Sequence, residues 1–268
     1  MHTISTFKFK VIIPKGLKFP RYTGRIIQGA FLQYLRKQDP IVSQELHEGN
    51  DRRTYTTKGI HYKKIGETTF GLFEIHTIDP QIIDTMISIL TSSNAGEIYL
   101  LNRFCAVVNV EYEKHQFGML STYPLYSSIE IKFITPTMFA NDYRINKMDH
   151  YPDLQRIFEN MIKTYEFLFS PIENNEDLLI RLQRQLTPNI FEFQSKFIRL
   201  GENIKLKGFT GKISFIIEDS TGLDILKDLL EISNLWGIGA KRSMGMGRIN
   251  VRYFPPKSKP LMRQIEED

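Results

Sequence analysis

From Ser5 to Ile13 the chain alternates, with Phe7, Phe9, Val11 and Ile13 set against Lys8, Lys10 and Ile12, the period of two that marks a half-buried strand. The period then lengthens. Ile26, Ile27, Ala30, Phe31, Tyr34 and Leu35 recur at helical spacing between Arg25 and Lys37, with Thr23 placed to cap the first turn. After a polar stretch, Thr68 to Ile75 reads as a strand, Pro80 to Ser92 as a helix with an early proline, and Glu97 to Glu113 as one long or two short strands. The second half repeats this order. Ser128 to Ile134 is a strand and Pro152 to Phe169 a helix, while Ile190 to Leu200 and Ile204 to Ile217 form a hairpin around Gly201-Glu202-Asn203. Leu223 to Leu235 is a helix and Arg248 to Tyr253 the last strand. A βαββαβ order met twice predicts an α+β protein of two tandem ferredoxin-like domains, each with its helices on one face of an antiparallel sheet. The expected division is 1–123 and 124–268, with a linker near Tyr123-Pro124 and a frayed tail after Pro255-Pro256.

Composition agrees with two modest domains. The 268 residues are 41% hydrophobic and 24% charged, enough for each half to bury a core without disulfides or metal. The single cysteine, Cys105, sits in the apolar run from Phe104 to Val108. It reads as a small buried hydrophobe, which excludes a disulfide scaffold or a Cys-rich zinc site and fits a reducing cytoplasm. No stretch approaches the roughly 20 apolar residues that span a bilayer, and the N-terminus lacks a signal-like apolar run, so a cytoplasmic protein without a membrane partner is expected.

Charge changes the picture through its placement. The net value is only +5, yet no Asp or Glu precedes Asp39, while Lys8, Lys10, Lys15, Lys18, Arg21, Arg25, Arg36 and Lys37 all do. A second acid-free run, Ile232 to Ile265, holds Lys241, Arg242, Arg248, Arg252, Lys257, Lys259 and Arg263. One basic zone per half points to a polyanion bridging both domains.

Between the last helix and the last strand lie Gly237-Ile238-Gly239 and Gly245-Met246-Gly247, separated by five residues that include Lys241 and Arg242. Paired glycines permit positive φ and close approach, so the loop could offer amide N–H groups and cations to phosphates. It is neither a dinucleotide fingerprint nor a P-loop, because here a helix precedes and a strand follows. This loop resembles the signature loop of the RAMP proteins of CRISPR systems. In this form it is similar to that of the Cas-six family, the CRISPR repeat-processing endoribonucleases. Gly208-Phe209-Thr210-Gly211-Lys212-Ile213-Ser214-Phe215 also resembles that family's strand leading to the last helix.

The resemblance implies cleavage of precursor CRISPR RNA within each repeat to give mature crRNA, with no metal and no cofactor. The ribose 2′-hydroxyl would attack the adjacent phosphodiester, leaving 2′,3′-cyclic phosphate and 5′-hydroxyl ends. The competing expectation is a non-catalytic RAMP subunit that grips crRNA in an interference complex. The implied partner is CRISPR repeat RNA, with other Cas proteins and a homodimer left open.

Such chemistry needs a base, an acid and positive charge at the phosphorane-like transition state. Of the six histidines, His2 is terminal, His76 closes an apolar strand, and His115 and His150 lie in polar connections. His47 stands out in Leu46-His47-Glu48-Gly49, ahead of the basic stretch Arg52-Arg53-Thr54-Tyr55-Thr56, which reads as a mobile loop. The family carries Leu-His after its first helix, then a basic residue and an aromatic. Leu46-His47, Arg53 and Tyr55 fit, with Arg53 where Lys is common. The candidate catalytic group is therefore His47 and Arg53, with Tyr34 and Lys37 from the first helix. His61, amid Lys58, Lys63 and Lys64, is the reserve. Arg52, Lys58, Gly237, Gly239, Lys241, Arg242, Gly245, Gly247 and Arg248 are the expected RNA-binding residues.

Overall fold

The computed structural model describes residues 2–37, 39–48, 54–92, 96–118, 127–142, 147–149, 151–199, 205–219, 221 and 223–255. The first half runs β1 (His2–Ile13), α1 (Gly24–Arg36), α2 (Pro40–Glu48), β2 (Tyr55–Ile65), β3 (Thr68–Thr77), α3 (Pro80–Thr91), β4 (Glu97–Leu100) and β5 (Arg103–Phe117). The second half runs β6 (Ser128–Thr137), β7 (Phe139–Asp142), β8 (Lys147–Asp149), α4 (Leu154–Leu168), α5 (Asn175–Gln185), β9 (Leu186–Arg199), β10 (Lys205–Ile217), α6 (Leu226–Trp236) and β11 (Ile249–Phe254).

Strand order is β2-β3-β1-β5-β4 in one sheet and β11-β6-β10-β9 in the other, and all these neighbours pair antiparallel. Taking the strands of each βαββαβ unit as first to fourth, both sheets read fourth-first-third-second, the ferredoxin-like arrangement, with β4 added at the edge of the first. The tandem ferredoxin-like architecture expected from the periodicity is the observed one.

The alternation in β1 drives Phe7, Phe9 and Val11 into the N-terminal core at 0–1% exposure, each burial contributing roughly 1.5–3 kcal/mol. Lys8 and Lys10 occupy the opposite face of the strand. That core joins α1 and α3 to the sheet and includes Cys105. The second core packs α4, α5 and α6 on the other sheet around Trp236 and also takes in Ile4 and Phe117 from the ends of β1 and β5. The first strand and the last of the N-terminal sheet therefore help seal the second domain.

Four local expectations change. Leu46 and His47 do not lie in a loop but on a second helix, α2, whose first-turn amides of Ile41 and Val42 donate to Asp39 Oδ1 at 3.1 and 3.0 Å. Tyr55 to Thr57 are not part of a mobile connection; they open the strand β2 and are buried. Thr23 makes no side-chain cap to α1; its Oγ1 instead accepts from the Ile60 amide at 3.0 Å, tying the start of α1 to β2. The short β7–β8 pair and α5 were not expected at all. Arg52, Arg53, Tyr123-Pro124 and the Gly201-Glu202-Asn203 turn lie outside the described residues, and so does the side chain of His47.

Candidate nucleic-acid interface at the domain seam

The glycine loop turns inward. Gly237, Gly239, Gly245 and Gly247 are all buried and all have positive φ. Their amides, expected to face phosphate, are spent on the protein. Gly237 N donates to Ser233 O, Ile238 N to Gly247 O, Ala240 N to Met138 O, Gly245 N to Arg242 O and Gly247 N to Pro136 O. Gly239 N donates to Asn160 Oδ1 and Arg248 N to Thr135 Oγ1. The physical reason is the loop's position between α6 and β11, where buried amides must find acceptors and the neighbouring β6 end and α4 supply them. The phosphate cradle of backbone amides is thus corrected to a folded knot that holds its own polar groups.

The loop's carbonyls then reach the other domain. Tyr22 hydroxyl donates to Met244 O, Thr56 Oγ1 to Arg242 O at 2.9 Å and Thr57 Oγ1 to Ser243 O at 3.1 Å. Gln28 Nε2, buried on α1, donates to Ser243 Oγ at 3.2 Å. Successive carbonyls of a single 3₁₀ turn, Arg242–Met244, are therefore gripped by the N-terminal domain. Gly24 lets this happen: a Cβ there would lie 1.8 Å from Met244 O. None of Tyr22, Gln28, Thr56 or Thr57 was picked out from sequence. A glutamine on the apolar face of an otherwise clean helix was the one available signal.

Beside the clasp, the open face of the N-terminal sheet carries a cationic cluster. Lys8, Lys10, Lys58, His61, Glu74, Glu111 and Arg248 line one small cavity of about 320 Å³. Arg248 extends from the glycine loop onto β2, and its Nη1 lies 2.5 Å from His61 Nε2. Guanidinium has no acceptor, so Arg248 donates and the His61 ring is neutral with its proton on Nδ1. Burial first, then Arg248, holds the His61 pKa below its usual value, consistent with that role. Among the described residues no carboxylate pairs directly with Arg248, and burial lowers its own pKa.

Lys58 is placed by a chain running inward. Its Nζ sits 2.7 Å from Glu74 Oε2, and that same oxygen is 3.3 Å from Nε2 of the fully buried His76. The approach is electrostatic, because Nε2 has no hydrogen-bond partner of good geometry. The other ring nitrogen, Nδ1, is 2.8 Å from Thr6 Oγ1. Burial pushes His76 down to about 4 despite Glu74. Burial would raise Glu74, but His76 and Lys58 outweigh it and hold the carboxyl well below the usual range. His76, which closes an apolar strand in the sequence, thus sits inside this network.

The remaining candidates are dispersed. Arg242 Nη1 donates to Thr164 Oγ1 at 2.7 Å and borders a cleft of about 590 Å³ shared with Arg156, Asn160 and Lys163 of α4. Lys241 is exposed at the loop's tip. Tyr34 is in the core, 5% exposed, edge-on to Phe9, with its hydroxyl pushed up to about 12 by burial. Lys37 Nζ donates to Glu97 O at 3.0 Å, fastening α1 to β4. His47 is near the C-terminal end of α2, which is anchored to α1 by Ser43 Oγ donating to Leu32 O at 2.8 Å. Among the described residues no group of three His, Cys, Asp or Glu side chains converges to hold a metal ion, and no described helix is long and apolar enough to cross a membrane.

Two ferredoxin-like modules joined through a glycine-rich loop define a RAMP-type fold. The family model for the CRISPR-associated endoribonuclease Cas6 matches residues 131–249, a stretch that runs from β6 through the glycine loop to the start of β11. Over this stretch the chain is similar to the Cas6 family. Curated proteins named CRISPR-associated endoribonuclease Cas6 are similar to it. That of Mycobacterium tuberculosis (strain ATCC 25618 / H37Rv) is 26% identical over 130 residues, which is 48% of this chain and 40% of the relative. That of Streptococcus thermophilus is 29% identical over 125 residues, 45% of this chain and 49% of the relative. The matched stretch thus spans less than half the length of these relatives. In fold, the chain is similar to a Cas6 product complex with a TM-score of 0.71, 20% identity and coverage of 94% of this chain and 100% of that one. Thermus thermophilus Cas6 gives a TM-score of 0.67 at 20% identity over 94% and 99% of the two chains.

Proposed function

We propose that the protein is a metal-independent endoribonuclease that cuts precursor CRISPR RNA within its repeats by attack of the ribose 2′-hydroxyl, leaving 5′-hydroxyl and 2′,3′-cyclic phosphate ends. The observation that carries this reading is the family match over residues 131–249, which includes the whole glycine loop. Fold relatives solved as a Cas6 product complex and a Cas6 substrate mimic complex support RNA as the ligand. The seam supports it too, since Arg248 offers to a phosphate a half-buried guanidinium that is ordered by a neutral histidine and, among the described residues, pairs with no carboxylate.

In this reading the clasp aligns the two domains, and the cations Lys58, Arg248, Lys241 and Arg242 bind the RNA backbone. His47 moves the proton at the 2′-oxygen or the leaving 5′-oxygen, and Arg52 and Arg53 carry positive charge to the reacting phosphate. Lys37 would have to release Glu97 O to join them. Tyr34, kept as a phenol by burial, bears no negative charge to oppose the phosphate. The glycines contribute by letting the loop pack, not by direct contact with RNA.

The test is incubation of the full chain with repeat RNA in excess EDTA, with the product ends identified. Cutting with cyclic phosphate ends is expected, and His47→Ala should slow it by at least 10²-fold, the lower end of what general acid–base catalysis contributes. A requirement for Mg²⁺, or unchanged cutting by His47→Ala, overturns the mechanism.

A further inference from the structure

Away from the seam, the connection from β1 to α1 and the β2–β3 hairpin meet at an open cleft of about 980 Å³. Three lysines, Lys15, Lys18 and Lys64, border it, and among the described residues Glu67 is the only acid that lines it. Among the described residues no carboxylate is paired with any of the three. An exposed aromatic ring occupies the same cleft. Tyr62 is 49% exposed, and its ring leans on Phe19 with centroids 5.5 Å apart. Phe19 and Leu17 in turn pack on the N-terminal core.

Each feature has an ordinary explanation when taken alone. Surface lysines are solvated, and single exposed apolar residues are common. Their combination is different. Here a large ring is left half open in water, yet it is braced from behind, so little side-chain entropy remains to be lost when something covers it. Among the described residues the three lysines have no carboxylate partner, and no Asp or Glu occurs in the first 38 residues. A protein partner would have to present a concentrated acidic surface with an apolar tip. An unpaired nucleotide has just this chemistry, a π-face next to phosphates.

We infer that this cleft is a single-strand RNA subsite, in which one unpaired base stacks on Tyr62 and the flanking phosphates meet Lys15, Lys18 and Lys64. The inference rests on the reading of the protein as an RNA-binding enzyme, and it adds a contact that the seam does not supply. The same loop leads directly to the clasp beside the cationic seam: Tyr22, whose hydroxyl holds Met244 O, is three residues beyond Phe19, a reach of roughly 11 Å at most.

The full-length protein is to be titrated with single-stranded repeat RNA and with the same RNA carrying 5-iodouridine for photocrosslinking. Tyr62→Ala is expected to weaken binding by about 5- to 150-fold, the range that stacking of one base spans, while Tyr62→Phe keeps wild-type affinity. The triple variant Lys15→Ala, Lys18→Ala, Lys64→Ala should flatten the salt dependence. A crosslink is expected in the peptide containing Tyr62. Thermal melting shows whether each variant is folded; Tyr62 is exposed enough that wild-type melting is expected. Wild-type affinity in a folded Tyr62→Ala, or crosslinks confined to other peptides, overturns the subsite. Loss of the subsite with repeat cutting intact leaves the endoribonuclease reading standing. Binding that depends on Tyr62 in a protein that never cuts overturns that reading and keeps the subsite.

Discussion

Gly24 and Gly29 lie on the same helix and make opposite predictions. A methyl at Gly24 would collide with the Met244 carbonyl at 1.8 Å, whereas nothing lies within 4 Å of one at Gly29. Gly24→Ala should cost about 3 kcal/mol by forced displacement of the clasp. Gly29→Ala should stabilise by about 0.5–1 kcal/mol, because an exposed helical glycine loses more backbone freedom on folding than alanine does. Chemical denaturation of the two variants side by side measures both, and equal effects would remove the clasp from the explanation. The His76–Glu74 pair gives a second prediction. The folded-state pKa of His76 is depressed to about 4, so the unfolded chain binds a proton that the folded one refuses between roughly pH 6.5 and 4. Glu74 is also held low, and its contribution is lost as pH falls below the usual carboxylate value. Both act in the same direction: stability declines on acidification, for His76 by on the order of 3 kcal/mol by pH 4. A His76→Gln variant should show a flatter dependence of melting temperature on pH over that window.

At the level of elements, the clasp rests on three side chains of β2 and α1 and one tyrosine of the connection before α1. Replacing Thr56 and Thr57 by valine keeps their shape and strand preference but leaves the carbonyls of Arg242 and Ser243 short of a donor. Each loss should cost about 1–2 kcal/mol. The double variant should unfold in two resolved steps where the parent unfolds in one, as followed by two probes, because the domains then lose the contacts that couple them. What the sequence made legible also divides by element. Strands β1, β3, β6 and β10, and helices α1, α3, α4 and α6, were visible because one face is mainly apolar. β2 was not, since its buried positions include Thr56 and Thr57, whose burial is set by partners some 186 residues away. α2 hid for a similar reason: it is short, with only Val42 and Ser43 buried among its described side chains. The glycine motif stands out by its spacing, but spacing does not say which way a loop's amides point. His61 was noticed for its cationic company, while its role as the acceptor for Arg248 needed the two domains in place.

For the molecule as a whole, two basic zones that are distant in sequence become adjacent at the seam, where Arg248 of one lines the same cavity as Lys8 and Lys10 of the other. RNA affinity should therefore depend steeply on salt. For single strands the slope of log K against log salt is about −0.7 per phosphate neutralised. Arg248→Ala should reduce its magnitude by about that amount, measured by filter binding over a salt series, and an unchanged slope would exclude Arg248 from phosphate contact.

The clasp also has a history within each molecule's synthesis. Tyr22 and Met244 are 222 residues apart in the chain, and at about 5–20 residues per second the ribosome takes roughly 10 to 45 s to cover that distance. For that interval the first domain has its core and its strands but no occupant for the hydroxyls of Tyr22, Thr56 and Thr57 that the loop's carbonyls accept from. A nascent chain stalled before the glycine loop should accordingly be the form most open to proteases and chaperones along the face of α1 and β2, and resistance should arrive in one step as the loop emerges.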